Sequence, residues 1–261
     1  MMGNERKIVI GADGLKRCAV CGEVKERTIE ALGIKMTVSC CCACDRAELE
    51  AIKERERLEE LDRRRKVCFM NTNMESWRFS NDDRQNARLS DAMKNYADKF
   101  ADFKAAGKGL LLYGTVGTGK TYYAACIANE LLENGVRVYM TNFATLINKI
   151  QGSFEGSQEY IDSLSAYSLL IIDDLGAERN SDYMNEIVYN IIDARYRSGL
   201  PMIITTNLTR DELTKPSDVA RARIYDRLLE RCIPLHVEGG SRRRKSIIES
   251  HKKDMEMLGL N

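Results

Sequence analysis

The residues that most constrain this chain are the eight from Gly114 to Thr121. Gly114-Thr115-Val116-Gly117-Thr118-Gly119-Lys120-Thr121 fits the pattern G-x-x-x-x-G-K-[ST]. The stretch follows an apolar run, Leu110 to Tyr113, and opens a helical pattern that ends at Asn134-Gly135. In that setting, glycines at 114, 117 and 119 let the backbone turn so that its N–H groups converge on phosphate oxygens, and the helix N-terminus adds positive potential at the same point. Lys120 supplies a full charge for the β- and γ-phosphates, and the Thr121 hydroxyl suits Mg²⁺. All eight residues are therefore expected to line a nucleotide. A glycine-rich turn without nucleotide is the structural alternative, and motif and flanks together argue against it.

A metal beside phosphates needs an acid. The apolar run Leu169-Leu170-Ile171-Ile172 ends in Asp173-Asp174. Asp173 is expected to hold Mg²⁺ through water, and Asp174 to orient or deprotonate the attacking water. Alone, such a strand end is common and often structural; paired with the upstream loop it points to nucleoside triphosphate hydrolysis. Glu178 could share the role or cap the following loop. A further run from Pro201 ends in Thr205-Thr206-Asn207, where the amide of Asn207 could hydrogen-bond both the attacking water and the γ-phosphate.

From about Gly109 onward, short apolar runs alternate with helical periods, which predicts a parallel sheet with crossover helices. Strands are expected near Leu110–Tyr113, Val136–Met140, Leu169–Asp173, Met202–Thr206 and Cys232–His236. In the predicted helix Ser181–Arg197, the pairs Tyr183/Met184, Ile187/Val188 and Ile191/Ile192 recur every four residues and form one core-facing stripe. Upstream, residues 45–66 hold 16 charged residues in 22, with Glu59/Arg63, Glu60/Arg64 and Asp62/Lys66 at i,i+4 spacing, the pattern of a solvated helix. The organisation expected is a cysteine-rich module at 1–45, a charged helical linker at 46–100 and an α/β domain at 101–261.

Six of the nine cysteines lie between Cys18 and Cys44. The N-terminus has no apolar signal segment and no run is long enough to cross a bilayer, so the expected compartment is the cytoplasm, where clustered cysteines read as metal ligands. Cys18-Ala19-Val20-Cys21-Gly22 is a knuckle with a glycine for its tight turn. Cys41 with Cys44 restores the same spacing, although Cys40 or Cys42 could replace Cys41. Zn²⁺ in a tetrahedral site fits best, with an iron–sulfur site or plain thiols as the alternatives. So small a segment, poor in apolar residues, could hardly fold without the metal.

Together these features resemble the AAA+ ATPases of the DnaC/DnaI helicase-loader group, and they are close also to the IstB-type transposition ATPases. The resemblance runs from about Leu110 to Arg243 and rests on LLLYGTVGTGKT, SLLIIDDLGAER, the strand ending ITTN, and RIYDRLLERC followed by EGGSRR. It implies a P-loop AAA+ fold with a five-stranded parallel sheet, ATP and Mg²⁺ as ligands, Gly114–Thr121 as Walker A, Asp173 and Asp174 as Walker B and Asn207 as sensor 1. It also implies that Arg227 is an arginine finger reaching into the next subunit of a homo-oligomer, and that Arg243 is the sensor 2 arginine. Two departures stand out. Asp174 replaces the more usual Glu, which suggests slow, switch-like hydrolysis, and only 25 residues follow His236, too few for a C-terminal helical lid. A neighbouring protomer would then complete the cleft.

The function implied is ATP-dependent loading of a hexameric DnaB-type replicative helicase onto single-stranded DNA, with the N-terminal module gripping the helicase. The rival with the same engine is an IstB-like ATPase that assists a transposase in selecting target DNA; direct DNA contact by the zinc module is a variant of either. Net charge is only +1, so any nucleic-acid field must be local. Residues 221–253 hold ten Lys or Arg against four acids, centred on Arg242-Arg243-Arg244-Lys245. Lys149 is a second candidate for single-strand contact.

Overall fold

Short apolar runs bounded by helical periods do become a parallel sheet. The computed structural model describes residues 8–31, 33–70, 72–151, 157–176, 182–216, 218–241, 247, 251 and 254–259. The chain divides into two compact units, 1–62 and 63–261.

The first unit carries two antiparallel pairs: β1 (Ile8–Ile10) with β2 (Lys16–Cys18), and β3 (Glu26–Ala31) with β4 (Ile34–Ser39). Gly33, at φ +76°, turns the second hairpin. Among the described residues near the strands, Cys18 and Cys42 are the buried side chains, while Ile8, Val9, Ile10, Ile34 and Met36 are exposed. The first turns of α1 (Ala43–Phe69) follow. That helix is the charged segment predicted for 45–66.

In the second unit α1 ends, and α2 (Ala87–Asp98) and α3 (Phe100–Ala105) precede the sheet. The sheet strands are β5 (Gly109–Tyr113), β6 (Val138–Asn142), β7 (Leu169–Leu175), β8 (Met202–Thr206) and β9 (Cys232–His236), all parallel, in the order β6-β7-β8-β5-β9. Between them run α4 (Lys120–Glu133), α5 (Phe143–Gln151), α6 (Ser157–Ser163), α7 (Asp182–Ser198), α8 (Arg210–Thr214) and α9 (Val219–Arg231). Alternation along the strands splits the core in two. Leu111, Leu170, Ile172 and Ile204 face α5, α7 and α9, with Ile187, Val188, Ile191 and Ile192 of α7 buried against them, each stabilising by about 1.5–3 kcal/mol. The first residue of the predicted α7 span, Ser181, lies outside the described residues. Helix α4 packs against β6 and β8.

Residues 63–100, part of the helical linker expected at 46–100, lie in the second unit. Met93, Tyr96 and Phe100 are buried, because α2 carries an apolar stripe that its many polar residues mask in a composition count. Ahead of α2, Asn129 of α4 is fully buried and donates to the carbonyls of Met74 at 3.0 Å and Trp77 at 2.9 Å. Arg65 donates to its Oδ1 at 3.2 Å, and Arg78 pairs with Glu133 at 3.1 Å. No described helix is long and apolar enough to cross a membrane.

Arg195, at 2% exposure, is the one buried guanidinium among the described core residues. It donates to the carbonyls of Leu164, Tyr167, Ser168 and Pro201 at 2.8–3.3 Å, tying the entries of β7 and β8 to α7. Burial pulls its pKa down to about 10, so it keeps its charge at neutral pH. Arg195→Met should orphan these carbonyls and lower unfolding free energy by about 3 kcal/mol or more, read as a shifted urea midpoint. A loss below about 1 kcal/mol would mean that water replaces the guanidinium.

Candidate functional site

In a parallel α/β sheet, ligands sit beyond the carboxyl ends of the strands. The loop from Gly114 to Gly119 occupies that position at the end of β5, between the ends of β8 and β9. Gly114, Gly117 and Gly119 have φ of +142°, +87° and +103°, a region closed to most side chains. Lys120 is the first residue of α4, buried at 5% exposure, and its ammonium donates to the carbonyls of Gly114 at 2.8 Å and Thr115 at 2.7 Å. The Thr118 hydroxyl donates to Thr115 O at 3.0 Å. Thr115 and Val116 are exposed.

The Thr121 hydroxyl lies 3.0 and 3.1 Å from the two carboxylate oxygens of Asp173. One hydroxyl beside one carboxylate, all hard oxygen donors, is a donor set that fits Mg²⁺. Asp174 has φ +58°, and the β7–β8 register shifts between Ile172 and Leu175. This bulge re-aims the end of β7, and Asp174 is exposed. Asn207, one residue beyond β8, is exposed at the same end of the sheet. The fold thus brings the loop, Asp173, Asp174 and Asn207 to one edge.

Sequence reasoning overlooked a cavity of about 410 Å³ beside the loop, lined by Asn86, Leu89, Thr118, Tyr123, Glu238 and Gly239 among others. Asn86 caps α2, accepting from Leu89 N–H at 3.1 Å. Ser90 bonds both Asp82 and Tyr123. On the other flank, His236 stacks on Tyr113 with centroids 5.0 Å apart and pairs with Glu238 at 2.8 Å. The only linear signal for this wall was the Asn86 cap, since its residues come from segments about 30 residues before the loop and over 115 after it.

Arg227 on α9 is bound within its own chain. It pairs with Asp193 at 2.9 Å, donates to the Tyr189 hydroxyl at 2.8 Å, and lies 4.7 Å from the centre of that ring. Arg223, one turn earlier, is exposed. Lys149 donates to the Tyr139 hydroxyl at 3.0 Å and sits over the rings of Tyr139 and Tyr160. Glu178, Arg243 and the run 242–245 lie outside the described residues.

Among the cysteines, the sulfurs of Cys18, Cys21, Cys42 and Cys44 all lie within 4.8 Å of one another. Cys42 is buried, whereas Cys41, taken as the ligand from spacing, is exposed and outside the cluster. The start of α1 decides this. Cys42 N–H donates to Asp45 at 3.1 Å, Asp45 pairs with Lys25 at 2.6 Å, and Ala43 N–H donates to Glu23 at 2.6 Å. Cys40 instead donates to Val24 O at 3.3 Å. Gly22, at φ +73°, closes the knuckle with its N–H on Cys18 O at 2.9 Å. The Glu23 N–H lowers the Cys21 pKa to about 6, while the bond to Cys21 and burial push Cys44 up to about 11. Lys25 and the Cys42 N–H hold Asp45 down at about 2. Four clustered thiols in a unit with almost no apolar core fit a tetrahedral Zn²⁺.

Residues 43–250 match the family model described as IstB-like ATP binding protein. The chain belongs to that family. Within it, the chain is 28% identical over 167 residues to the replicative helicase loader DnaI of Bacillus subtilis (strain 168), covering 59% of this chain and 52% of that protein. It is 32% identical over 162 residues to the replicative helicase loader DnaC of Escherichia coli (strain K12), covering 60% and 63%. The chain therefore spans between half and two thirds of the length of these relatives. A crystal structure of DnaI superposes with a TM-score of 0.58 at 26% identity, covering 69% of this chain and 99% of that one. The IstB-like ATP-binding family thus accounts for the α/β sheet and for a P-loop of the AAA+ type.

In this family member, Gly117→Ala should weaken binding of a fluorescent ATP analogue about tenfold or more, because its new Cβ meets the Ser241 side chain at a left-handed backbone. Gly199→Ala, equally left-handed at φ +67° with nothing within 4 Å of its new Cβ and placed at the opposite end of the sheet, is the control. Equal affinities in equilibrium titration would show that the loop tolerates the strain.

Proposed function

We propose that this chain is an ATPase that loads a hexameric replicative helicase onto single-stranded DNA. The observation that carries the proposal is the likeness of its ATPase unit to the loaders DnaI and DnaC. The Thr121–Asp173 contact supports the chemistry. Lys120 would exchange carbonyl partners for the β- and γ-phosphates, and Thr121 and Asp173 would hold Mg²⁺, which offsets phosphate charge. Asp174 accepts a proton from the attacking water as its oxygen bonds the γ-phosphorus and the bond to ADP breaks; Asn207 orients that water. The cavity beside Thr118 and Tyr123 takes the base. Asp174 in place of Glu makes turnover slow. The IstB description of the family model supports the second reading, in which the same engine assists a transposase.

Assembly with further copies supplies an arginine in trans from α9. Arg227 is the candidate, and its ion pair with Asp193 would have to open on assembly. Cys18, Cys21, Cys42 and Cys44 hold Zn²⁺, and this first unit grips the helicase.

Lys120→Ala should abolish binding of the ATP analogue, and retained binding would sink the assignment of the loop. Specific ATPase activity should fall on dilution, and Arg227→Ala should fall similarly without changing nucleotide affinity; turnover independent of protein concentration would exclude a trans arginine. Metal analysis should give one zinc per chain, lost in Cys42→Ser and kept in Cys41→Ser. With the host's replicative helicase and circular single-stranded DNA, added chain and ATP should raise the helicase bound to DNA. No increase over the Lys120→Ala variant would overturn the loading function.

A further inference from the structure

The bulge at the end of β7 is organised around one hydroxyl. Two residues of β7, Asp173 and Asp174, lie opposite the single residue Thr205 of β8, between the pairs Ile172↔Ile204 and Leu175↔Thr206. Thr205 is fully buried. Its hydroxyl donates to Asp173 Oδ1 and accepts the N–H of Asp174 at 3.0 Å. A hydroxyl has one proton to give and lone pairs to receive, so this side chain serves both carboxylate residues at once. Asp173 Oδ1 also receives the Thr121 hydroxyl at 3.0 Å, which aims the carboxylate from α4 on one side and β8 on the other. Asp174 holds a left-handed φ of +58°, a conformation rare for residues with a side chain, and the bond from its N–H to Thr205 fastens it. The hydroxyl of the next residue, Thr206, points to other partners: it donates to Leu175 O at 2.7 Å and accepts Leu208 N–H at 3.1 Å.

We propose that Thr205 is a positioning residue of the nucleotide site: its hydroxyl sets the direction in which Asp173 presents its carboxylate beside Thr121 and fixes the backbone from which Asp174 projects. The inference rests on the reading of Asp173 as the Mg²⁺ carboxylate. Outer hydrogen bonds to a metal's carboxylate typically change metal affinity or activity by about 10–100-fold.

The test compares the full chain with Thr205→Val, Thr205→Ser and Thr206→Val. Thr205→Val should bind a fluorescent ATP analogue in EDTA within about twofold of wild type, since Lys120 and the loop are untouched. Its Mg²⁺ midpoint for tightening that binding should rise about 10-fold or more. In nucleotide-free protein the Asp174 amide should exchange with deuterium at least about tenfold faster. Thr205→Ser should restore both readouts to within about threefold, and Thr206→Val should leave the Mg²⁺ midpoint unchanged. If Thr205→Val does not fold, Thr205→Ala is measured in its place. A wild-type Mg²⁺ midpoint and wild-type exchange in Thr205→Val would overturn the proposal, as would equal impairment of the Ser and Val variants. If the wild type shows no Mg²⁺ dependence, the parent reading of Asp173 fails and takes the metal half with it. The exchange rate at Asp174 still decides the backbone half.

Discussion

The hydrogen bonds that join Thr121, Asp173 and Thr205 link three elements that are far apart in sequence: the first turn of α4, the end of β7 and the end of β8. A carboxylate at a strand tip would ordinarily stay in water. Here two hydroxyls satisfy one of its oxygens, so it stays aimed while partly buried. The loop from Gly114 to Gly119 is set by the same arrangement, because α4 can begin at Lys120 only where its first turn meets β7. The bulge follows as well. An unbroken strand would alternate Asp173 and Asp174 to opposite faces, and the extra residue breaks that alternation at the place where the two carboxylates are wanted.

Two other features support this edge from a distance. Arg195 gathers four carbonyls at the opposite ends of β7 and β8, so the strands that carry Asp173 and Thr205 are held at both ends. Asn129 and Arg65 hold the segment before α2 against α4, and Asn86 and Leu89 stand in the wall of the cavity. Both devices use buried polar side chains with satisfied donors, which specify one geometry more sharply than apolar packing does. The pairing of Arg227 with Asp193 and Tyr189 is also made of polar side chains, but it is only partly buried. Its strength in cis is a cost that any role in trans must offset.

The cysteine unit follows a different logic. Its strands expose most of their apolar residues, so hydrophobic burial cannot hold it, and a cluster of four sulfurs stands in place of a core. The start of α1 chooses the fourth sulfur. Asp45 and Glu23 cap Cys42 and Ala43, which turns Cys42 inward and leaves Cys41 outside.

Much of the second unit was legible in the chain because the relevant physics is local. A glycine-rich turn between an apolar strand and a helix, strands near Leu169 and Met202, and the four-residue rhythm of α7 all depend on neighbours in sequence. The burial of Met93 and Tyr96 was not legible because composition hides an amphipathic stripe, and Cys42 was left open because spacing cannot tell which of three adjacent thiols a helix start will bury. By itself, the sequence determined which elements form and which of them carry the lysine, the hydroxyl and the two carboxylates. Only the tertiary structure decided that Thr205 meets Asp173, that Asn86 and Glu238 line one cavity and that Arg227 is taken up by Asp193. Those pairings depend on strand order and on a bulge, which arise when distant segments pack and leave no periodic trace along the chain.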